Sequence, residues 1–450
     1  MSKFDPHSHP SRRSSTQATA SNAAPADSKT RREFLRSSSA VVAGGVLAGT
    51  LAAPRNVHAA GSDVIKVGLV GMGGRGTGAA ANACDADANV KITALADLFQ
   101  DQIDARLPGM AAQLKGQFEV PDGQAFAGFD AYQSLMQTDV DVVILATPPH
   151  FRPLHLRAAI DAGKHVFCEK PVAVDGPGVR HVYETVRMAR DKDLSIVSGL
   201  CWRYDYGVRE TMQRIQEGAI GDIVAIQENY LTGLLSHRLR QPGWSEMEYQ
   251  CRNWQYFTWA SGDHIVEQHV HSLDKALWLM GDQVPESCVG LGGREVRTGE
   301  EFGNIFDHHA VYFEYPNGVK VFAFTRQMDG CLIDVEDYVL GTKGRAEILN
   351  FKIHGENAWQ RDRKLKKPSM YVVEHEELMQ GIRNGNHINN GDYMTGSTLM
   401  AIMGREACYT GKTITQEAML NSQTDLSPTP YEFGEIPVPE VPVPGVTTLT

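Results

Sequence analysis

From residue 64 the chain alternates between two kinds of stretch. Short apolar runs, VIKVGLVG (64–71), VKITALAD (90–97), DVVILATPP (141–149), KHVFCEKP (164–171) and LSIVSGL (194–200), are each closed by glycine, proline or a charged residue. Between them lie stretches with apolar positions three or four apart, starting with GRGTGAAANAC at 74 and continuing over 100–114, 154–162 and 179–190. Runs this short and this apolar predict strands buried on both faces, and the amphipathic stretches predict the helices that cover them. The predicted class is α/β, a doubly wound parallel sheet.

Beyond residue 200 the period changes. A helix is predicted over 206–217, and then GDIVAIQENYL (221–231) alternates as a half-exposed strand. DHHAVYFEYPNGVKVFAFTRQ (307–327) reads as a hairpin turning at Asn317-Gly318, with DYVLGTKGRAEIL (337–349) as further strand. Consecutive strands with short turns predict an open, largely antiparallel sheet in an α+β domain. SGDHIVEQHVHSLDKALWLMG (261–281) reads as one helix. Val266, Val270, Leu273 and Leu277 form its apolar stripe, and Glu267, His271 and Asp274 form a polar line along the edge. The last stretch, PYEFGEIPVPEVPVPGVTTLT, is Pro-rich and predicts an extended arm or loose tail. The expected organisation is an export segment over 1–60, a first domain over 61–200, a second over 201–425 and a tail over 426–450.

The first sixty residues are of a different kind. TRREFLR (30–36) precedes SSSAVVAGGVLAGTLAA and VHAAG, a twin arginine followed by a mildly apolar stretch and small residues. This predicts a twin-arginine export signal cleaved after Ala59 or Ala60, and hence a periplasmic or extracytoplasmic mature protein. The apolar run is Gly- and Ala-rich and is cut by Pro54, too weak for a membrane span, so no span is expected in the mature protein. The formal net charge is −11, and residues 1–59 hold eight of the 43 Lys and Arg but only three of the 54 Asp and Glu. The remainder is more acidic still, which excludes nucleic-acid binding by bulk electrostatics. The seven cysteines lie scattered without a C-x-x-C pair, against a disulfide framework or a zinc site.

The chemistry begins at GMGGRG (Gly71, Met72, Gly73, Gly74, Arg75, Gly76), a G-x-G-x-x-G between the first strand and the first helix. In that context Gly71 permits a tight turn, Gly73 lets a pyrophosphate approach the backbone, and Gly76 lets helix pack on strand, which makes the first domain a Rossmann unit. Asp97 ends the second strand, where a carboxylate accepts the ribose hydroxyls. No arginine follows it, so NAD is favoured, while Arg75 in the turn keeps NADP possible. Thr147 and Pro148 in ATPPHF, and Glu169 and Lys170 in CEKP, fall at the ends of later strands, on the rim where such sheets bind ligands. His264, Glu267, His269 and His271 are dense, but the H-E-x-x-H order is absent and no metal is expected.

GLVGMGGRG, ALADLF, DVVILATPPHF and above all AGKHVFCEKPVAV resemble the Gfo/Idh/MocA family, which includes glucose–fructose oxidoreductase and inositol dehydrogenase. The resemblance runs from about 65 to 422. It implies a second domain with an open sheet covered by helices on one face. Lys170 is implied to contact cofactor ribose and substrate, and Glu169 to support cofactor binding. It also implies an acid and a histidine facing the nicotinamide from the later helix, matched here by Glu267 and His271. Two departures stand out: Glu267 replaces the usual Asp, and Arg152 stands where a histidine is frequent. Arg203, Trp254 and Trp259 are expected sugar contacts by donor geometry and stacking area, each with ordinary packing as an equal alternative; His264 and Gln268 are weaker pocket candidates. The expected protein is a homo-oligomeric NAD(P)-dependent oxidoreductase of a carbohydrate or polyol hydroxyl with a tightly held, internally recycled cofactor. A redox-neutral NAD-dependent glycosidase is the alternative, and a non-catalytic sugar-binding protein a third.

Overall fold

The computed structural model describes residues 63–362 and 364–450; the export segment expected over 1–60 lies outside the described residues. The five apolar runs fold as β1 (Ile65–Val70), β2 (Val90–Asp97), β4 (Val142–Leu145), β5 (His165–Cys168) and β6 (Ile196–Ser198), with a short β3 (Ala125–Ala127). Their order is β3-β2-β1-β4-β5-β6, and every pair is parallel. Ile65, Val67, Leu69, Val143 and Phe167 are fully buried, as continuous apolar strands require when helices cover both faces. The helices Gly74–Ala86, Arg152–Asp161 and Gly176–Asp191 follow the expected stretches. One more comes from far along the chain. In the helix Met370–Asn384, Val373, Leu378, Met379 and Ile382 join the core formed by Val67, Leu69 and Phe167.

The second sheet has nine strands. They are β7 (Ile223–Thr232), β8 (Ser287–Gly293), β9 (His308–Glu314), β10 (Lys320–Gln327), β11 (Asp334–Gly341), β12 (Gly344–Glu347), β13 (Lys352–Gly355), β14 (Trp359–Gln360) and β15 (Ile414–Thr415). The order is β14-β13-β12-β11-β7-β10-β9-β8-β15. The predicted hairpin is β9–β10, with Gly318 at φ +83 in its turn. All neighbours are antiparallel except β7 and β10, which pair in parallel across the middle. One face packs on the helix Gly391–Thr410, eighteen of whose residues are buried. The other face is open: Leu291, Phe322 and Phe324 point outward and are exposed.

The Pro-rich tail is docked on its own chain, not loose. Leu426 N donates to Asp175 Oδ2 at 3.0 Å, Met247 N to Gly434 O at 3.1 Å, and Gly445 N to Thr410 O at 2.9 Å. All seven cysteines are free. Among the described residues no helix is long and apolar enough to cross a membrane.

Candidate active site

The glycine turn is built as its spacing predicts. Gly71 sits at φ +99, and a Cβ there would stand 2.7 Å from the carbonyl carbon of Ala146. A Cβ on Gly76 would lie 1.8 Å from Gly71 O, so only glycine lets the helix meet the strand. Nothing lies within 4 Å of a Cβ placed on Gly73 or Gly74. The helix Gly74–Ala86 starts with no side-chain cap and no acidic residue in its first turn. Its first N–H groups and their partial positive charge are therefore open to an anion. Asp97 Oδ2 accepts from Met72 N at 2.7 Å and Oδ1 from Phe99 N at 3.0 Å. Burial raises the Asp97 pKa above the ordinary carboxylate value, against the pull of these N–H groups. A groove of about 470 Å³ runs along this rim, lined by Gly71, Gly73, Gly74, Arg75, Asp97, Thr147, Pro148, Trp254 and Glu267 among others. An open phosphate cradle, a carboxylate one strand over and an uncapped helix fit a dinucleotide.

At Glu267, which lines the groove, two distant parts of the chain meet. Lys170 Nζ donates to Glu267 Oε1 at 2.9 Å and to the Glu267 carbonyl oxygen. Both side chains are mostly covered, 13% and 16% exposed, which makes this more than a surface pair. Beside it, Arg75 bonds Glu169 and reaches Glu374 Oε1 at 3.4 Å, with its guanidinium 4.8 Å from the Tyr371 ring centre. Arg75 is thus occupied by carboxylates. Glu374 is buried, and burial with Glu169 nearby pushes its pKa well up. His271 follows Glu267 by four residues. Burial, then the charges of Lys170, Lys275 and Arg75, hold its imidazole well below the ordinary histidine range, and its Nδ1 is buried without a partner. It is a neutral imidazole close to an ammonium.

The predicted single helix over 261–281 is broken. The chain forms Thr258–Ser261, His264–Glu267 and Val270–Leu279 instead. Gly262 and Asp263 both adopt positive φ, +78 and +73. The Asp263 carboxylate accepts from Phe306 N at 2.9 Å and from Tyr409 Oη at 2.5 Å, tertiary bonds that override the helical pattern. Asp274, on the last of these helices with His271, is buried and away from the groove lining. It pairs with Arg203, whose Nε lies 3.0 and 2.9 Å from its two oxygens.

The other expected residues divide. Met72 contributes backbone only: its side chain is buried, and its carbonyl accepts from Gln102 Nε2 at 2.9 Å. Thr147 Oγ1 lies 3.1 Å from His155 Nδ1. Trp254 lines the groove, whereas Trp259 is buried with its indole N–H donating to Gln250 Oε1 at 2.6 Å. Arg203 is an interior ion pair. Gln268 accepts from Gln327 Nε2 at 2.7 Å. His264 is buried, its Nδ1 2.8 Å from Asp263 Oδ1, and burial lowers its pKa to about 4. Asp263, His264 and His309 have ligand-type atoms within 4.8 Å of one another. Because Asp263 already accepts four bonds, this cluster reads as a hydrogen-bond hub. Arg152, the departure from the family pattern, is buried and donates to the carbonyls of Leu145 and Thr147, bracing the ATPP turn. Sequence reasoning missed Phe99, Phe129 and Phe151, which give the groove an aromatic wall, and Glu374, which no local signal marks.

Two patterns of one family match the chain: the oxidoreductase family with an NAD-binding Rossmann fold over 65–199, and the GFO/IDH/MocA C-terminal domain over 208–347. The chain belongs to the Gfo/Idh/MocA oxidoreductase family. It is similar to 2,7-anhydro-N-acetylneuraminate hydratase of Escherichia coli, 30% identical over 46% of this chain and 51% of that one. It is also similar to inositol 2-dehydrogenase 3 of Saccharopolyspora erythraea, 28% identical over 57% and 65%. The chain thus spans between half and two thirds of the length of these relatives. Among solved structures, scyllo-inositol dehydrogenase of Lactobacillus casei with bound NAD(H) and scyllo-inositol superposes with a TM-score of 0.59 over 79% of this chain and all of that one. At 19% identity, that likeness establishes the fold.

Proposed function

We propose that this protein oxidises a secondary hydroxyl of a sugar or polyol with a dinucleotide that stays bound through turnover. The observation that carries the reading is the pairing of Lys170 with Glu267, which lines the groove, with His271 four residues on. The neutral His271 imidazole accepts the hydroxyl proton, and Lys170 steadies the alkoxide as it forms. Glu267 holds the Lys170 ammonium in place and offsets its charge. The nicotinamide, when bound, supplies the hydride acceptor. Glu169 serves the cofactor through Arg75, whose engagement by carboxylates, together with Asp97, favours NAD over NADP. Trp254 is the aromatic surface for a sugar face.

The expected twin-arginine export fits a resident cofactor, because free NAD is scarce outside the cytoplasm. Two closed cycles satisfy that condition: return of the hydride to a second sugar, or transient oxidation of a glycoside followed by elimination and re-reduction. The likeness to an anhydrosugar hydratase favours keeping the second in view. The open sheet face bearing Leu291, Phe322 and Phe324 suits a second copy of the chain. The test is to incubate purified protein, with no added NAD, with aryl glycosides and with pairs of free sugars. Released aglycone supports the redox-neutral cycle, and paired lactone and alditol support the oxidoreductase. Native mass spectrometry without a bound dinucleotide sinks both.

A further inference from the structure

The dinucleotide groove has one wall that the first domain does not hold up alone. Phe99, Phe129 and Phe151 line it, and behind them lies the Pro-rich tail. Phe433 stacks on Phe99 with ring centres 5.7 Å apart and planes at 16°, and lies 5.2 Å from Phe129. Tyr431 packs 6.1 Å from both Phe129 and Phe151, and its hydroxyl is 2.8 Å from His150 Nε2. The same segment also holds a second element that borders the groove. Gly434 O accepts from Met247 N at 3.1 Å, and Pro437 O accepts from Gln250 Nε2 at 3.2 Å. Both donors belong to the helix Glu246–Arg252, whose last residue lines the groove and sets its guanidinium 3.9 Å from the Phe99 ring centre.

We propose that residues 426–437 are a strap, fastened to the aromatic wall of the groove and to the helix Glu246–Arg252 beside it, that sets how fast a bound dinucleotide leaves. Phe433 and Tyr431 act as positioning residues. They touch no ligand themselves but fix Phe99, Phe129 and His150 in the closed arrangement. Prolines at 428, 430 and 437 restrict the segment before it docks, which lowers the entropy lost on ordering it. Release then requires the aromatic wall to move, and the wall moves only when the strap lifts. This inference rests on the resident-cofactor reading above and adds the element that enforces it.

The test follows exchange of the bound dinucleotide in purified holoprotein against isotopically labelled NAD, read by native mass spectrometry. Phe433→Ala removes two ring contacts and is expected to speed exchange about tenfold. Phe433→Tyr, which keeps the ring, stays within about twofold of the parent. A chain ending at Asp425 exchanges faster than either, and Phe433→Ala carries the test if that chain fails to fold. An unchanged thermal midpoint for Phe433→Ala separates wall opening from global unfolding. Exchange by both Phe433→Ala and the shortened chain at the parent rate overturns the strap while leaving the resident-cofactor reading standing. A parent protein that neither carries nor takes up a dinucleotide overturns that reading, and the strap with it.

Discussion

Two charged clusters stem from one predicted polar line, and they have opposite characters. At the groove, Lys170 meets Glu267 with His271 nearby. Lys170 uses two of its three N–H donors on a carboxylate and a carbonyl, and the neutral imidazole keeps a buried nitrogen without a partner. In the interior, Arg203 is held by both oxygens of Asp274 and by Asp282 at 2.7 Å, with its guanidinium 3.7 Å from the Tyr393 ring centre. Asp274 also accepts from Ser397 Oγ at 2.8 Å. The first cluster keeps unused capacity and touches the groove through Glu267. The second is closed on itself. Charge and sequence spacing do not separate them; spare hydrogen-bonding capacity at a cavity does.

The sharpest way to break this contrast is Lys170→Met. We expect kcat/KM to fall by about 10³–10⁴-fold while the dinucleotide still co-purifies and the thermal midpoint barely moves, as steady-state kinetics and native mass spectrometry would read. Unchanged kinetics would dissolve the distinction. Arg203→Ala should behave in the opposite way. Leaving the buried Asp274 charge without its cation destabilises the fold by about 3–5 kcal/mol in denaturant titrations, with the rate per folded molecule retained.

His271→Gln lowers kcat by about 10²–10³-fold. In the parent protein, the acid limb of the pH–rate profile is expected below the ordinary histidine value of about 6.5, because burial and the neighbouring cations depress this imidazole. Stability carries its own pH signature. Burial holds His150 and His264 at about 4, and His155 and His375 at about 3. Unfolded, each takes its proton near about 6.5, so the unfolded chain binds more protons once the pH falls below that value. Thermal or denaturant midpoints should be flat above it and decline as pH drops towards 4, by on the order of 1–2 kcal/mol per histidine at pH 5. The smallest effect separates the two tryptophans. Trp259→Phe loses one buried hydrogen bond, about 1 kcal/mol of stability with KM unmoved, whereas Trp254→Ala raises KM.

What the sequence disclosed was local. The first sheet, the glycine turn and the Asn317-Gly318 hairpin each depend on a few adjacent residues, and each was found where its string lies. Lys170 and Glu169 were legible because a short motif places them at a strand end. The rest depended on partners far away in the chain. The helix over 261–281 is broken by bonds from Phe306 and Tyr409 to Asp263, which no periodicity within the helix reports. Arg203, on sequence as much an ordinary ion pair as a sugar contact, is claimed by Asp274, 71 residues on. The parallel pairing of β7 with β10 joins strands that are not consecutive in sequence. The tail offered only composition, and its docking rests on complementary rings more than 280 residues earlier.

The helix Gly391–Thr410 has a mechanical consequence. Arg405 Nη1 donates to Val174 O at 2.7 Å and to Gly262 O at 3.3 Å, and Thr398 Oγ1 accepts from Val172 N at 3.2 Å. This one rod is therefore riveted to the backbone just after β5 and to the bend before Glu267. It works as a keel common to both halves of the molecule, so jaw-like swinging of one half against the other would shear its rivets. Any movement that leaves these rivets whole is confined to the gunwale, the edge segments of the groove, while the hull keeps its shape.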